Sequence, residues 1–145
     1  MYNIMVIGLG HFGLSLVKEL AKSKLGVVVI EESQERAGLI KDMVDQVIVG
    51  NATNKELLLK FAKNVDCAVV CISEKIDSSV LVTHHLKELG IKKIIAKANT
   101  EDHGKILQTI GADEIVYPEE EVANRIARNL IAPDIIDVIK LSDEF

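Results

Sequence analysis

Gly8, Gly10 and Gly13, in the stretch MVIGLGHFGLSLVKEL, have the G-x-G-x-x-G spacing. They stand directly after an apolar run and at the mouth of a helical pattern carrying Leu14, Val17 and Leu20. At this spacing the first glycine permits a tight turn, the second lets a pyrophosphate approach the backbone, and the third lets helix and strand pack closely. Free amides at the helix start then face an anion. The chemistry is binding of a phosphate-bearing ligand by backbone groups. A glycine-rich turn without a ligand uses the same residues, so the reading depends on what accompanies them. Glu31 ends the second apolar run, 18 residues past Gly13. A carboxylate there accepts hydrogen bonds from a ribose and repels a 2′-phosphate. The pair points to NAD-like or adenine nucleotides rather than NADP.

The elements that must position these residues alternate along the whole chain. Short β-branched runs at Ile4 to Ile7, Val27 to Ile30, Val47 to Val49, Cys67 to Ile72, Ile94 to Ala98 and Ile115 to Tyr117 are separated by stretches of helical spacing. The continuous apolar character of CAVVCI predicts strands covered on both faces. The fold expected is α/β: a Rossmann-like, doubly wound parallel sheet of six strands with helices on both faces. Thr53 and Glu56 have the spacing of a capping box, Thr100 can cap a helix over Glu101 to Ile110, and Gly90 and Gly111 sit where helices should stop.

In such a sheet a ligand lies outside the carboxyl ends of the strands. Those ends are Gly50-Asn51-Ala52-Thr53, Ile72-Ser73 and Lys97. Asn51 can then bond an adenine edge, Ile72 pack on its face, and Lys97 meet a phosphate. The alternative is that Asn51 and Thr53 only start a helix and Lys97 is a solvated charge. Cys67 and Cys71 lie inside an apolar run and read as buried thiols. Adjacent His84 and His85 diverge by about 100° on a helix and do not chelate together. His103 reads as an exposed helix residue. Glu119, Glu120 and Glu121 follow Pro118 at a helix start, where negative charge is favourable. No metal site is expected.

Composition narrows the class further. A chain of 145 residues with 48% hydrophobic content builds one domain with a real core. Net charge is −5 and only 3% of residues are aromatic, which disfavours nucleic acid as a partner. No apolar run reaches the ~18 residues of a membrane span, and the N-terminus lacks signal-peptide regions. The expected compartment is therefore the cytoplasm, with reduced cysteines.

GLGHFG, the acid of VVVIEE, the GNATNKELL segment and IIAKANTEDHGKILQTIGADEIVYPEEEVANRIA together resemble the N-terminal nucleotide-binding (RCK) domain of the regulators of potassium conductance. This domain occurs in the cytoplasmic subunits of Ktr and Trk potassium uptake systems. The G-A-D-x-[IV]-x-x-P-E pattern at Gly111 to Glu119 is the most specific part. The resemblance implies a non-catalytic regulatory domain that binds NAD(H) or ATP/ADP, forms homodimers that can build an octameric ring, and gates a membrane potassium-transporting subunit. It implies that Gly8, Gly10, His11, Phe12 and Gly13 cradle phosphates, that Glu31 holds the ribose, and that Asn51 and Ala52 line the adenine side. Ile72 and Ser73 would form the next strand end, and Lys97 would meet the phosphate or second ribose. Glu119 falls where ATP-responsive members approach the phosphates or their cation at the dimer interface. His11 stands where many members have arginine, and a neutral imidazole is a weaker phosphate partner than a guanidinium. The same resemblance divides the chain into a nucleotide-binding domain over 1–132 and, over 133–145, a crossover helix and the start of a link to a C-terminal domain.

The competing class is a small NAD-dependent oxidoreductase. A short-chain dehydrogenase needs Tyr-x-x-x-Lys, yet Tyr117 is followed four residues on by Glu121 and Tyr2 by Val6. The expectation is a binding module rather than an enzyme. Ile126, Leu130, Ile131, Ile135, Ile136 and Ile139 form a dense apolar set around Pro133. It is read as a dimer contact, with coverage of the last strand as the alternative.

Overall fold

Alternate residues of each short β-branched run point to opposite faces, and here both faces are apolar, so the runs are stable only with helices on each side. The computed structural model describes residues 1–72 and 74–132. In chain order it contains β1 (Asn3–Ile7), α1 (His11–Leu20), β2 (Gly26–Glu31), α2 (Gln34–Gly38), β3 (Gln46–Val49), α3 (Lys55–Phe61), β4 (Cys67–Val70), α4 (Ile76–Glu88), β5 (Lys93–Lys97), α5 (Glu101–Ile110), β6 (Glu114–Val116) and α6 (Pro118–Ile131). The six strands form one parallel sheet in the order β3-β2-β1-β4-β5-β6. Met5, Ile7, Ala68, Val70, Ile94 and Ala96 pack with Leu58, Val82, Leu86 and Leu107 of α3, α4 and α5. Ile4, Val6, Val27, Val29 and Val69 pack on the other face with Val17 of α1 and with Ile40. Each fully buried Val, Leu or Ile contributes about 1.5–3 kcal/mol.

Three aspartates, each one residue before a strand, fasten the amino-terminal end of the sheet. Asp45 accepts from Val27 N–H at 2.7 Å, Asp66 from Asn3 N–H at 2.8 Å and Asp113 from Ile94 N–H at 2.8 Å. Each satisfies an N–H at the start of a neighbouring strand. The opposite end stays free to carry the turns that form a site.

Several sequence expectations change in detail. Thr100 does cap α5, accepting from His103 N–H at 3.1 Å, and Gly90 and Gly111 follow their helices with φ of +81° and +135°. The cap of α3 is Asn54, not Thr53: its Oδ1 accepts from Glu56 and Leu57 N–H, so the Thr53–Glu56 capping box does not form. Cys67 and Cys71 are buried free thiols. His103 is buried, at 2% exposure, because its position on α5 turns it toward α4. Its Nδ1 accepts from Asn99 N–H at 3.2 Å and its Nε2 lies 2.7 Å from Ser79 Oγ. The Asn99 contact assigns the ring proton to Nε2, so the imidazole donates to Ser79, whose hydroxyl donates to the Ile76 carbonyl at 2.9 Å. α6 buries none of its residues. Ile126 is 50% and Leu130 78% exposed, so α6 does not cover the last strand. Ile135, Ile136 and Ile139, with the whole of 133–145, lie outside the described residues.

Two outcomes follow from this packing. A methyl group at Gly13 would overlap the Gly8 carbonyl oxygen, whereas one at Gly38 meets nothing within 4 Å. Gly13→Ala should lower stability by about 3 kcal/mol or more, beyond ordinary overpacking, and Gly38→Ala should leave it unchanged or raise it by up to about 1 kcal/mol, both read from urea midpoints. Burial holds the His103 pKa below its usual 6.5. The unfolded chain therefore binds a proton that the folded chain refuses, so stability is complete above about 6.5 and falls as pH drops through that value, by up to about 1.4 kcal/mol per pH unit. His103→Gln should remove this part of the acid loss, as checked by urea unfolding across that range.

Candidate functional site

At the carboxyl end of β1 the chain turns through Gly8 at φ +97°, a conformation open to glycine and strained for other residues. Gly8 N–H bonds to the Ile30 carbonyl at 3.0 Å, and Cys71 N–H to the Ile7 carbonyl at 2.7 Å, so β2 and β4 hold the turn from both sides. Gly10 is the N-cap of α1 and has no side chain to satisfy the first helical amides. Those N–H groups face the crevice and form a ready site for an anion.

Glu31 braces this loop. Its Oε1 accepts from Leu9 N–H at 2.7 Å and its Oε2 from Ser33 N–H at 2.6 Å, with the residue 7% exposed. Each oxygen keeps a further lone pair for a ligand hydroxyl. The carboxylate thus joins the glycine loop to the turn entering α2 and remains competent to receive a ribose.

The loop and the ends of β2, β3 and β4 enclose a cleft of about 330 Å³, within the usual range for small-molecule sites. Of the residues expected there, Gly8, Gly10, His11, Glu31, Asn51, Ala52 and Ile72 line it. Asn51 Oδ1 already accepts from Thr53 N–H and Oγ at 3.0 and 2.8 Å, which leaves its amide NH2 as the donor for a base. Phe12 and Gly13 do not line the cleft: Phe12 is turned into the core on the α1 face, and Gly13 is pressed against Gly8 behind the loop. They serve the site through α1 backbone and close packing. Ser73 lies outside the described residues.

Lys97 and Glu119 also lie outside the cleft lining. Lys97 is 6% exposed, which removes the alternative of a solvated charge. Its Nζ lies 3.8 Å from Oε1 of Glu119, a side chain 87% exposed at the first turn of α6. Lys97 also acts on Cys71, a lining residue whose thiol burial pushes up to about 12 against the lowering effect of this ammonium. Lys97 therefore borders the crevice from the β5 side. No group of three or more His, Cys, Asp or Glu side chains among the described residues is placed to hold a metal.

Sequence reasoning missed Glu32, Arg36, Leu39, Lys75 and Ser78, which also line the cleft. Arg36 and Leu39 reach it from α2 and the turn after it, Lys75 and Ser78 from the start of α4. A cation five residues past Glu31 was the one signal available for Arg36. The lining carries three carboxylates, Glu31, Glu32 and Glu74, against two cations, Arg36 and Lys75. Attraction for an anion therefore depends on the loop amides more than on net side-chain charge.

Comparison with known proteins accords with this geometry. A Ktr system potassium uptake protein C from Bacillus subtilis is 36% identical over 140 residues, a match covering 96% of this chain and 63% of that protein. This chain thus spans less than two thirds of that relative. The fold is shared with the Shewanella denitrificans Kef CTD in AMP-bound form, at TM-score 0.75 and 19% identity over 99% of this chain and 90% of that one. It is shared too with the NAD-bound GsuK channel, at TM-score 0.69 and 18% identity over 79% of this chain and 21% of that one. The TrkA-N domain model matches residues 4–118, from β1 through the crevice to the first residue of α6, and the chain belongs to the TrkA-N family.

Proposed function

We propose that the domain binds an adenine nucleotide, NAD(H) or ATP/ADP, in the cleft at the end of β1, and that it acts within a cytoplasmic regulatory subunit that gates a membrane potassium transporter. The observation that carries the reading is the uncapped start of α1 facing a cleft beside buried Glu31. The similarity to a Ktr potassium uptake protein, and the AMP and NAD held by proteins of the same fold, support it. Phosphates would meet the amides from Gly10 to Gly13, the ribose Glu31, and the base Asn51, Ala52 and Ile72. Lys97, with Glu119 beside it, would approach the outer phosphate or second ribose.

Regulation without turnover suits the lining. Tyr2 and Tyr117 are not among the cleft residues, and His11 is the lining imidazole, at the phosphate end. No tyrosine is among the described lining residues, so the Tyr-x-x-x-Lys proton relay of a short-chain dehydrogenase is not built there. A binding domain can transmit a signal only by biasing two arrangements of something larger. The exposed stripe of Val122, Ile126 and Leu130 on α6, at spacing four, suits contact with a second copy, and larger rings would be built from such dimers. No helix among the described residues is long and apolar enough to cross a membrane; on this reading the transporter subunit supplies the contact with the membrane.

Calorimetric titration of the nucleotide-stripped protein should show NADH or an adenine nucleotide binding more tightly than NADPH. Glu31→Ala should weaken NADH by about 1–3 kcal/mol, part of it through Leu9 and Ser33 amides left unpaired, and should narrow the gap to NADPH. Equal or tighter binding of NADPH by the unmutated protein overturns the ribose assignment. Light scattering at micromolar concentration with nucleotide should give at least twice the chain mass, and Ile126→Asp should shift it toward one chain. A single-chain mass for the unmutated protein defeats the assembly reading.

A further inference from the structure

Glu32 and Lys75 face each other from opposite walls of the cleft. Glu32 directly follows β2, and Lys75 is the N-cap residue of α4. β2 and β4 stand on either side of β1 in the sheet, so the two residues straddle the glycine loop. Both line the cleft, and Lys75 Nζ lies 3.7 Å from Glu32 Oε2. Lys75 is 62% and Glu32 61% exposed, while Ile7, Ile30 and Ala52 of the same lining are buried. The pair therefore lies at the mouth, above the apolar floor. Lys22–Glu19 lies at the end of α1, Lys105–Glu101 lies within α5, and Lys55–Glu88 and Lys97–Glu119 lie outside the lining. Glu32–Lys75 is the Lys–Glu pair among the described residues with both partners in the cleft wall.

We propose that Glu32 and Lys75 form an ionic clasp across the mouth of the nucleotide cleft, closing behind a bound adenine nucleotide and slowing its escape. The inference rests on the nucleotide reading above. A ligand entering on this side of the cleft passes between a carboxylate and an ammonium that are carried by opposite sides of the sheet. An exposed pair opens at small cost, so entry is permitted. Once closed, the two methylene stems cover the apolar part of the ligand while their charged heads stay in water. The screening length falls from about 10 Å at 0.1 M salt to about 3 Å at 1 M, shorter than the 3.7 Å between the two groups, so the residence time becomes sensitive to ionic strength.

The test follows dissociation of ADP, the moiety common to NAD(H) and ATP, from the immobilised chain by surface plasmon resonance, at low and at high sodium chloride. Both positions are exposed, so charge changes there leave folding intact. Lys75→Glu and Glu32→Lys should each speed release about two- to fivefold at low salt. The double exchange, which restores opposite charges and leaves net charge unchanged, should return the rate to that of the unmutated protein, and high salt should abolish the differences. Release by the single variants at the unmutated rate in low salt overturns the clasp. Failure of the double exchange to restore the rate also overturns it. Absence of saturable binding of both ADP and NADH to the unmutated protein defeats the nucleotide reading, and the clasp with it. Normal binding combined with indifferent variants defeats only the clasp.

Discussion

The approach of α1 to the end of β1 is the constraint on which the crevice depends. Gly13 is pressed so closely on the Gly8 carbonyl that no Cβ fits between them, and Gly8 itself lies against the Cys71 carbonyl and the Ile72 amide. This contact sets the first turn of α1 directly over the carboxyl end of the central strand. Its uncapped amides then open toward the place where connections to β2 and β4 leave in opposite directions. The parallel register, with Ile7 opposite Ile30 and Val70, brings Glu31 and Cys71 to the same level as the loop. Glu31 can reach Leu9 N–H only because that level is fixed.

Charge in the crevice follows from the same arrangement. Side chains of the lining are close to balance, so on the nucleotide reading any preference for an anion would come from oriented backbone dipoles that cost no reorganisation. Lys97 is the exception at the border. A buried ammonium requires a counter-charge, and Cys71 cannot supply one, since burial keeps its thiol protonated up to about 12. Glu119 is 3.8 Å away and almost wholly in water, where solvent screens most of its field. Among the described residues the border cation is thus only partly compensated.

What was legible in the sequence is what depends on local pattern. The strands declare themselves because burial on both faces demands continuous β-branched runs, and the glycine fingerprint because backbone sterics permit few substitutes. Thr100 and Gly111 are legible for similar reasons. His103 was not: a single imidazole in the polar stretch TEDHGK gives no sign that Ser79, 24 residues earlier, waits behind it on α4. Asp45, Asp66 and Asp113 give no sequence signal of their role, because their bonds to Val27, Asn3 and Ile94 exist only once the sheet is assembled. Asn54 rather than Thr53 caps α3 because the helix starts at Lys55, one residue later than a Thr53 cap requires. Arg36, Glu32 and Lys75 enter the cleft through the angles of α2 and α4, which no spacing rule encodes.

The placement of α6 limits how a bound ligand could be sensed. None of its residues is buried, so the sheet cannot move the helix by repacking a shared core, the usual carrier of coupling through dense interiors. Among the described residues, the ion pair between Lys97 and Glu119 ties its first turn to the strand ends. On the nucleotide reading, a phosphate beside Lys97 competes with Glu119 for the same ammonium. Binding then changes the charge balance at the root of a helix whose apolar stripe is open to a second copy. That contact provides a differential interaction, which is the minimum a ligand needs to shift an equilibrium between two arrangements.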